Sequence, residues 1–395
     1  MSNRQSTGMN KLLLFVALIL MCFGIVVIYS VSAYGAASKN LSAEYYLQKH
    51  LIHVVIAVVA LAVFSKIDYA LWKVSARFVF GIGMILTMAT VIKGWLHPEA
   101  AIKGANRWIM GIQPSEILKL GFIAWVCSKL SNAGDEIKTP KCSLIQPGIP
   151  LAVSAILLAL QPNFSMLIMF CALLLVMLLI AGANYKYIGI SVLASIPVGL
   201  LVLLSSAHSR SRIMAFFSPD GAMQASQHQG KQALAALGNG GIFGTGIGMG
   251  EQKLGYLPEA YKDVIYAAVG EEFGFVGTFA VLLAFAILFS QGYNIARNSS
   301  TRFGKYMAVA LTTSLFMNFV IHVCVCVGLI PTTGQPLPFI SYGGTNLIFS
   351  AAFIGILLNI SRSTTGKSIR EPYMSSSMTF ETGRFMNFGT RRSSV

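Results

Sequence analysis

Five of the chain's 14 acidic residues, Glu251, Glu259, Asp263, Glu271 and Glu272, fall within 22 positions. Asp263 stands just before an apolar helix begins. A carboxylate there can satisfy the free N–H groups of the first helical turn. Glu271 and Glu272 lie further in, where a charge near lipid is costly and usually functional. Either could pair with a base across a helix bundle.

Basic residues supply the counterpart. Arg107 lies in KGANRWIMGIQPSEILKL, and Glu116 and Lys119 follow in the same stretch. Arg210 and Arg212 open a long polar loop, and Lys253 lies further along it. Guanidinium groups suit phosphate oxygens. Taken singly, each base reads as a side chain snorkelling to headgroups, and Glu116 and Lys119, three apart, can neutralise one another. Several bases converging on an acid at one membrane face suggest a site for an anionic, lipid-linked substrate.

Two glycine-rich stretches flank these residues. Gly238, Gly240, Gly241, Gly244, Gly246, Gly248 and Gly250 precede the acidic cluster. No Lys-Ser/Thr follows and no strand precedes, so a nucleotide-binding loop is excluded. The stretch reads as a tight loop on the membrane surface, or as backbone N–H groups facing an anion. The second stretch, GLIPTTGQPLPFISYGGTNLI, predicts a broken re-entrant segment. Irregular backbone at membrane depth must be buried in protein or line a wet cavity. It is either a rigid turn or a cavity wall. The six cysteines lack metal-site or disulfide-framework spacing.

The elements that position these residues follow from composition. Of 395 residues, 55% are hydrophobic and 11% charged, against about 25% charged in a soluble domain. Mean hydropathy is +0.68. That excludes a disordered chain and an ordinary soluble enzyme. The fold expected is an all-α polytopic membrane protein. Apolar runs near 11–33, 50–65, 74–95, 114–130, 147–161, 164–182, 185–206, 267–290, 306–330 and 339–360 predict about ten transmembrane helices. The first is too long for a signal peptide, and a barrel would show short alternating segments. With the N-terminus cytoplasmic, 18 Lys and Arg fall inside and ten outside, so both termini are expected in the cytoplasm. The net charge of +15 then needs no nucleic acid to explain it. Residues 1–10 form a cytoplasmic N-terminus, 11–360 the transmembrane domain and 361–395 a disordered basic tail. The extracytoplasmic loop 207–266, between spans 7 and 8, carries the acidic cluster.

GANRWIMGIQPSEILKL, QPNFSMLI, QKLGYLPEAYKDVIYAAVGEEFGFVG and PTTGQPLPFISYGGTN, in this order, resemble the SEDS family (shape, elongation, division and sporulation). The QK before YLPEA and the PTTG before LPFISYGG are more like the division branch than the elongation branch. The resemblance implies a ten-span peptidoglycan glycosyltransferase. Such an enzyme polymerises lipid II at the outer face of the cytoplasmic membrane, here at the division septum. It implies a class B penicillin-binding protein as transpeptidase partner, other division proteins, membrane lipid and a lipid-linked glycan strand. The family's essential acid, in its LPEAHTD motif, maps onto Asp263, which would act as general base. Arg107, Lys119, Arg210, Arg212, Lys253, Glu116, Gln335 and Ser341 are the candidate substrate contacts. A divalent cation, Mg or Mn, fits the pyrophosphate leaving group, with no protein metal cage and no organic cofactor expected.

Three positions depart from the family pattern. Asn163 replaces the usual Asp of a QPD motif, keeping hydrogen bonding but losing charge. Tyr261 and Lys262 replace His and Thr before Asp263, and a nearby ammonium favours an ionised carboxylate. Asn346 stands where Ser is common. Two other functions stay open: a lipid II flippase using the intramembrane charges, and a noncatalytic division scaffold, for which Asn163 is the best support.

Overall fold

Each of the ten apolar runs folds as a helix, because a backbone in lipid must satisfy its own hydrogen bonds. The protein, seen here in a computed structural model, is described over residues 9–97, 107–205, 210, 214, 216, 225–252 and 260–363. Its helices are α1 (Lys11–Ala37), α2 (Tyr45–Lys66), α3 (Ala70–Leu96), α4 (Pro114–Ala133), α5 (Gln146–Leu160), α6 (Phe164–Ala181) and α7 (Tyr185–Ser205). They continue with α8 (Ala225–Asn239), the single turn α9 (Ala260–Asp263), α10 (Ile265–Asn298), α11 (Arg302–Cys326) and α12 (Gly344–Ser363). The chain is a multi-pass membrane protein. Among the described residues, eight helices are long and apolar enough to cross a bilayer. The remaining two of the ten expected runs are α4 and α7, α4 being diluted by Glu116, Lys119 and Lys129.

Several boundaries differ from the hydropathy reading. Helix α10 extends eight residues beyond 290. This brings Gln291 to Asn10, whose side-chain amide donates to it at 3.0 Å. Asn10 also caps α1 by accepting from the Leu13 N–H. Helix α12 begins at Gly344 rather than 339, because Phe339 adopts φ +67°, outside helical space. At its other end α12 runs to Ser363. The tail from 364 and residues 1–8 lie outside the described residues.

The segment between α11 and α12 is re-entrant. Leu337, Phe339 and Ile340 are buried. A Cβ on Gly24, midway along α1, would sit 2.7 Å from the Phe339 carbonyl oxygen. Only glycine allows that approach, so the loop's backbone reaches the centre of the bundle.

The long loop between α7 and α10 is partly helical. Helix α8 buries Ala233 and Ala236, and Leu237 lies against Gly270 of α10. The glycine-rich turn after α8 then enters α10 itself. Gly274, at φ +66°, breaks α10 and leaves two backbone bonds unmade. The loop supplies all four partners. Phe275 N–H donates to Gly241 O at 2.9 Å and Val276 N–H to Ile242 O at 3.1 Å. The abandoned Glu271 and Glu272 carbonyls accept from Thr245 N–H at 2.9 Å and Gly246 N–H at 3.1 Å. A helix broken inside protein is thereby fully satisfied.

Candidate active site

Asp263 ends the single turn α9. Val264, at φ −140°, separates α9 from α10 and occupies the N-cap position of α10. The expected cap is therefore not Asp263: the break falls one residue later, and a valine side chain cannot cap. The Asp263 side chain is half-buried between buried neighbours, with Ala260, Tyr261, Val264 and Ile265 all inside.

The re-entrant loop holds this turn. Tyr342 N–H donates to the Tyr261 carbonyl at 2.9 Å. The Ser341 hydroxyl donates to the Lys262 carbonyl at 2.9 Å and accepts from the Leu337 N–H at 2.8 Å. Ser341 thus contacts the residue before Asp263. Gln335 is buried, and its carbonyl lies 2.9 Å from His322 Nδ1.

Aromatic and basic side chains collect around the turn. The rings of Tyr46, Tyr261 and Tyr342 form a triangle with centroids 4.6, 5.4 and 5.6 Å apart. Lys39 Nζ donates to the Tyr46 hydroxyl at 3.2 Å. Lys262 Nζ lies 5.3 Å from the centre of the Tyr261 ring, a cation–π arrangement. Lys39, Tyr46, Tyr342 and His322 were not among the sequence candidates. Along the chain Lys39 counts only towards topology, and no motif singles out the other three.

Other candidates are engaged elsewhere. Arg107 donates to the Pro162 carbonyl, joining its loop to the Gln161-Pro162-Asn163 turn. Asn163 is 2% exposed and precedes α6 without a side-chain capping bond. Lys119 Nζ and Glu116 Oε2 form a buried ion pair at 2.6 Å, close but without hydrogen-bond alignment. The Lys119 ammonium also lies 5.5 Å from the centre of the Phe353 ring. Arg210 is exposed. Arg212, Lys253 and Glu259 lie outside the described residues.

The acids beyond Asp263 have structural partners. Glu271 Oε1 accepts from the N–H groups of Glu251 and Gln252 at 2.8 and 3.0 Å. These N–H groups directly follow the glycine-rich stretch, whose own Gly244, Thr245 and Gly246 N–H groups donate to backbone carbonyls instead. Glu272 accepts from the Ser30 hydroxyl of α1 at 2.6 Å. Among the described residues no three His, Cys, Asp or Glu side chains gather as a metal cage.

Comparisons with known proteins bear on the family and the fold. Residues 10–366 match the family described as cell cycle protein, covering FtsW, RodA and SpoVE. The chain is 34% identical over 356 residues to a probable peptidoglycan glycosyltransferase FtsW of Trichlorobacter lovleyi, covering 89% of this chain and 93% of that one. It is 32% identical to stage V sporulation protein E of Bacillus subtilis, covering 91% and 98%. Among solved structures, it resembles a chain of a peptidoglycan synthase complex that coordinates polymerization and crosslinking, with TM-score 0.71 and 19% identity over 91% and 99%. It also resembles the rod shape determining protein RodA of Thermus thermophilus, with TM-score 0.66 and 18% identity over 93% and 100%.

Proposed function

The chain belongs to the FtsW/RodA/SpoVE family of cell cycle proteins, and from that premise we propose that it is a peptidoglycan glycosyltransferase polymerising lipid II, with Asp263 as general base. The observation that carries the assignment is the clamping of the Asp263 turn. Its two preceding carbonyls are held by the re-entrant loop, and a preorganised carboxylate needs such support. The positive-inside count supports an extracytoplasmic Asp263.

The acceptor's sugar 4-hydroxyl attacks the anomeric carbon of the lipid-linked glycan strand. Its proton passes to the Asp263 carboxylate. The anomeric carbon–oxygen bond breaks, and undecaprenyl pyrophosphate leaves with the electron pair. Lys262 and Lys39, close to the turn, can attract that developing charge. The tyrosine triangle offers ring faces and hydroxyls beside it. A Mg or Mn ion would arrive on the pyrophosphate, as part of the substrate. The natural assembly includes a class B penicillin-binding protein at the septal cytoplasmic membrane.

The test uses purified protein with that partner, fluorescent lipid II and a divalent cation. Wild type should give glycan ladders on a gel, and Asp263→Ala none, with the fold and lipid II binding retained. A ladder from Asp263→Ala would remove the base assignment. Lipid II crossing liposomes without polymer would favour a flippase built on the Glu116–Lys119 pair. Neither activity, with the partner bound, would leave the scaffold reading.

A further inference from the structure

His322 is wholly buried one turn from the outer end of α11. Its ring joins two segments that no other described bond joins in the same place. Nε2 lies 3.5 Å from the N–H of Tyr266, and Nδ1 lies 2.9 Å from the carbonyl of Gln335. Tyr266 is the second residue of α10, so its N–H has no partner within the helix. A carbonyl only accepts, and an N–H only donates. Both contacts therefore select one tautomer, with the proton on Nδ1 and a bare Nε2.

The consequence concerns Asp263. Upstream of it, Tyr261 and Lys262 are tied to Tyr342 and Ser341 of the re-entrant loop. Downstream, Tyr266 is tied through His322 to Gln335 of the same loop. Val264, between them, has non-helical backbone, so α9 and α10 are not one continuous helix at this point. The loop thus grips the Asp263 turn from both sides, and the imidazole closes the second side.

We propose that His322 is a positioning residue for the reaction: its ring, protonated on Nδ1, fixes the first turn of α10 against the re-entrant loop and so sets the direction of the Asp263 carboxylate. His322 touches neither substrate nor Asp263 in this role. The inference rests on the glycosyltransferase reading above. It predicts an effect on turnover rather than on binding, since a misdirected base leaves lipid II contacts in place. A displacement of about 1 Å at a catalytic group can cost about a hundredfold in rate.

The test has two parts. Ladder synthesis is measured over a range of lipid II concentrations for the full-length protein with its penicillin-binding partner. His322→Leu should lower kcat at least about tenfold, with KM within about threefold. In His322→Gln the amide oxygen can accept from Tyr266, and in His322→Asn the amide nitrogen can donate to Gln335, so each should recover part of the loss. Wild-type kcat in His322→Leu, a rise in KM alone, or Gln and Asn variants no better than Leu would each overturn the proposal. If wild type itself makes no ladder, the glycosyltransferase reading fails instead, and the second part still judges the histidine. Nitrogen NMR of 15N-histidine-labelled protein, with His322→Asn for assignment, should show a protonated Nδ1 and a bare Nε2. The opposite tautomer would overturn the proposal, even if His322→Leu fails to fold.

Discussion

The Ser341 hydroxyl donates to the Lys262 carbonyl at 2.9 Å, joining the re-entrant loop to the residue before Asp263 across 79 positions of sequence. The same oxygen accepts from the Leu337 N–H. Replacing Ser341 by Ala removes the acceptor of the buried Leu337 N–H and the hydroxyl donor to the Lys262 carbonyl, at a cost of about 1–3 kcal/mol. Ser341→Ala should slow ladder synthesis, while Ser341→Thr, which keeps the hydroxyl, should retain most of it. Equal rates for Ala and wild type would show that the clamp does not set the turn.

The loop inserted into α10 gives a second prediction. A Cβ on Gly244 would lie 2.2 Å from the Glu272 carbonyl oxygen, and φ there is +84°. At Gly248 φ is +83°, but nothing lies within 4 Å. Both alanines strain the backbone, and only Gly244→Ala also displaces the loop from the helix break. Gly244→Ala should expose 240–252 to limited proteolysis and lower the melting temperature, with Gly248→Ala much milder. Indistinguishable variants would contradict the insertion.

Glu271 offers a third. Its Oε1 accepts from two backbone N–H groups, and hydrogen bonds to a charged group are worth about 1.5–3 kcal/mol each. Glu271→Gln keeps one oxygen acceptor and should be mild. Glu271→Ala should release Glu251 and Gln252, read as faster amide exchange at those two residues. Unchanged exchange in Glu271→Ala would exclude the anchor.

The buried Glu116–Lys119 pair predicts non-additivity. Lys119→Met leaves a carboxylate buried without its partner, costing about 3–5 kcal/mol. The double variant Glu116→Gln/Lys119→Met should regain most of that stability in detergent melting curves. If both single variants and the double melt alike, the pair contributes nothing to the fold.

Much of this protein is readable along the chain. Span number, order and orientation are sums over neighbouring residues: apolar length makes a helix in lipid, and Lys and Arg bias its flanks inward. That logic predicts an outward Asp263 near a helix start and identifies the loop around Gln335 and Ser341 as irregular. Hydrogen-bond partners are not local sums. Tyr266 meets His322 across 56 positions, and the glycine-rich turn meets the Gly274 break across about 30. Nothing in the residue pattern says which N–H an acid such as Glu271 will accept, or that Lys39 and Tyr46 stand beside Tyr261. Those choices follow from the crossing of helices and the requirement that every buried polar group find a partner where they cross. The run of helices is therefore legible from composition, whereas the orientation of the base depends on packing between distant segments.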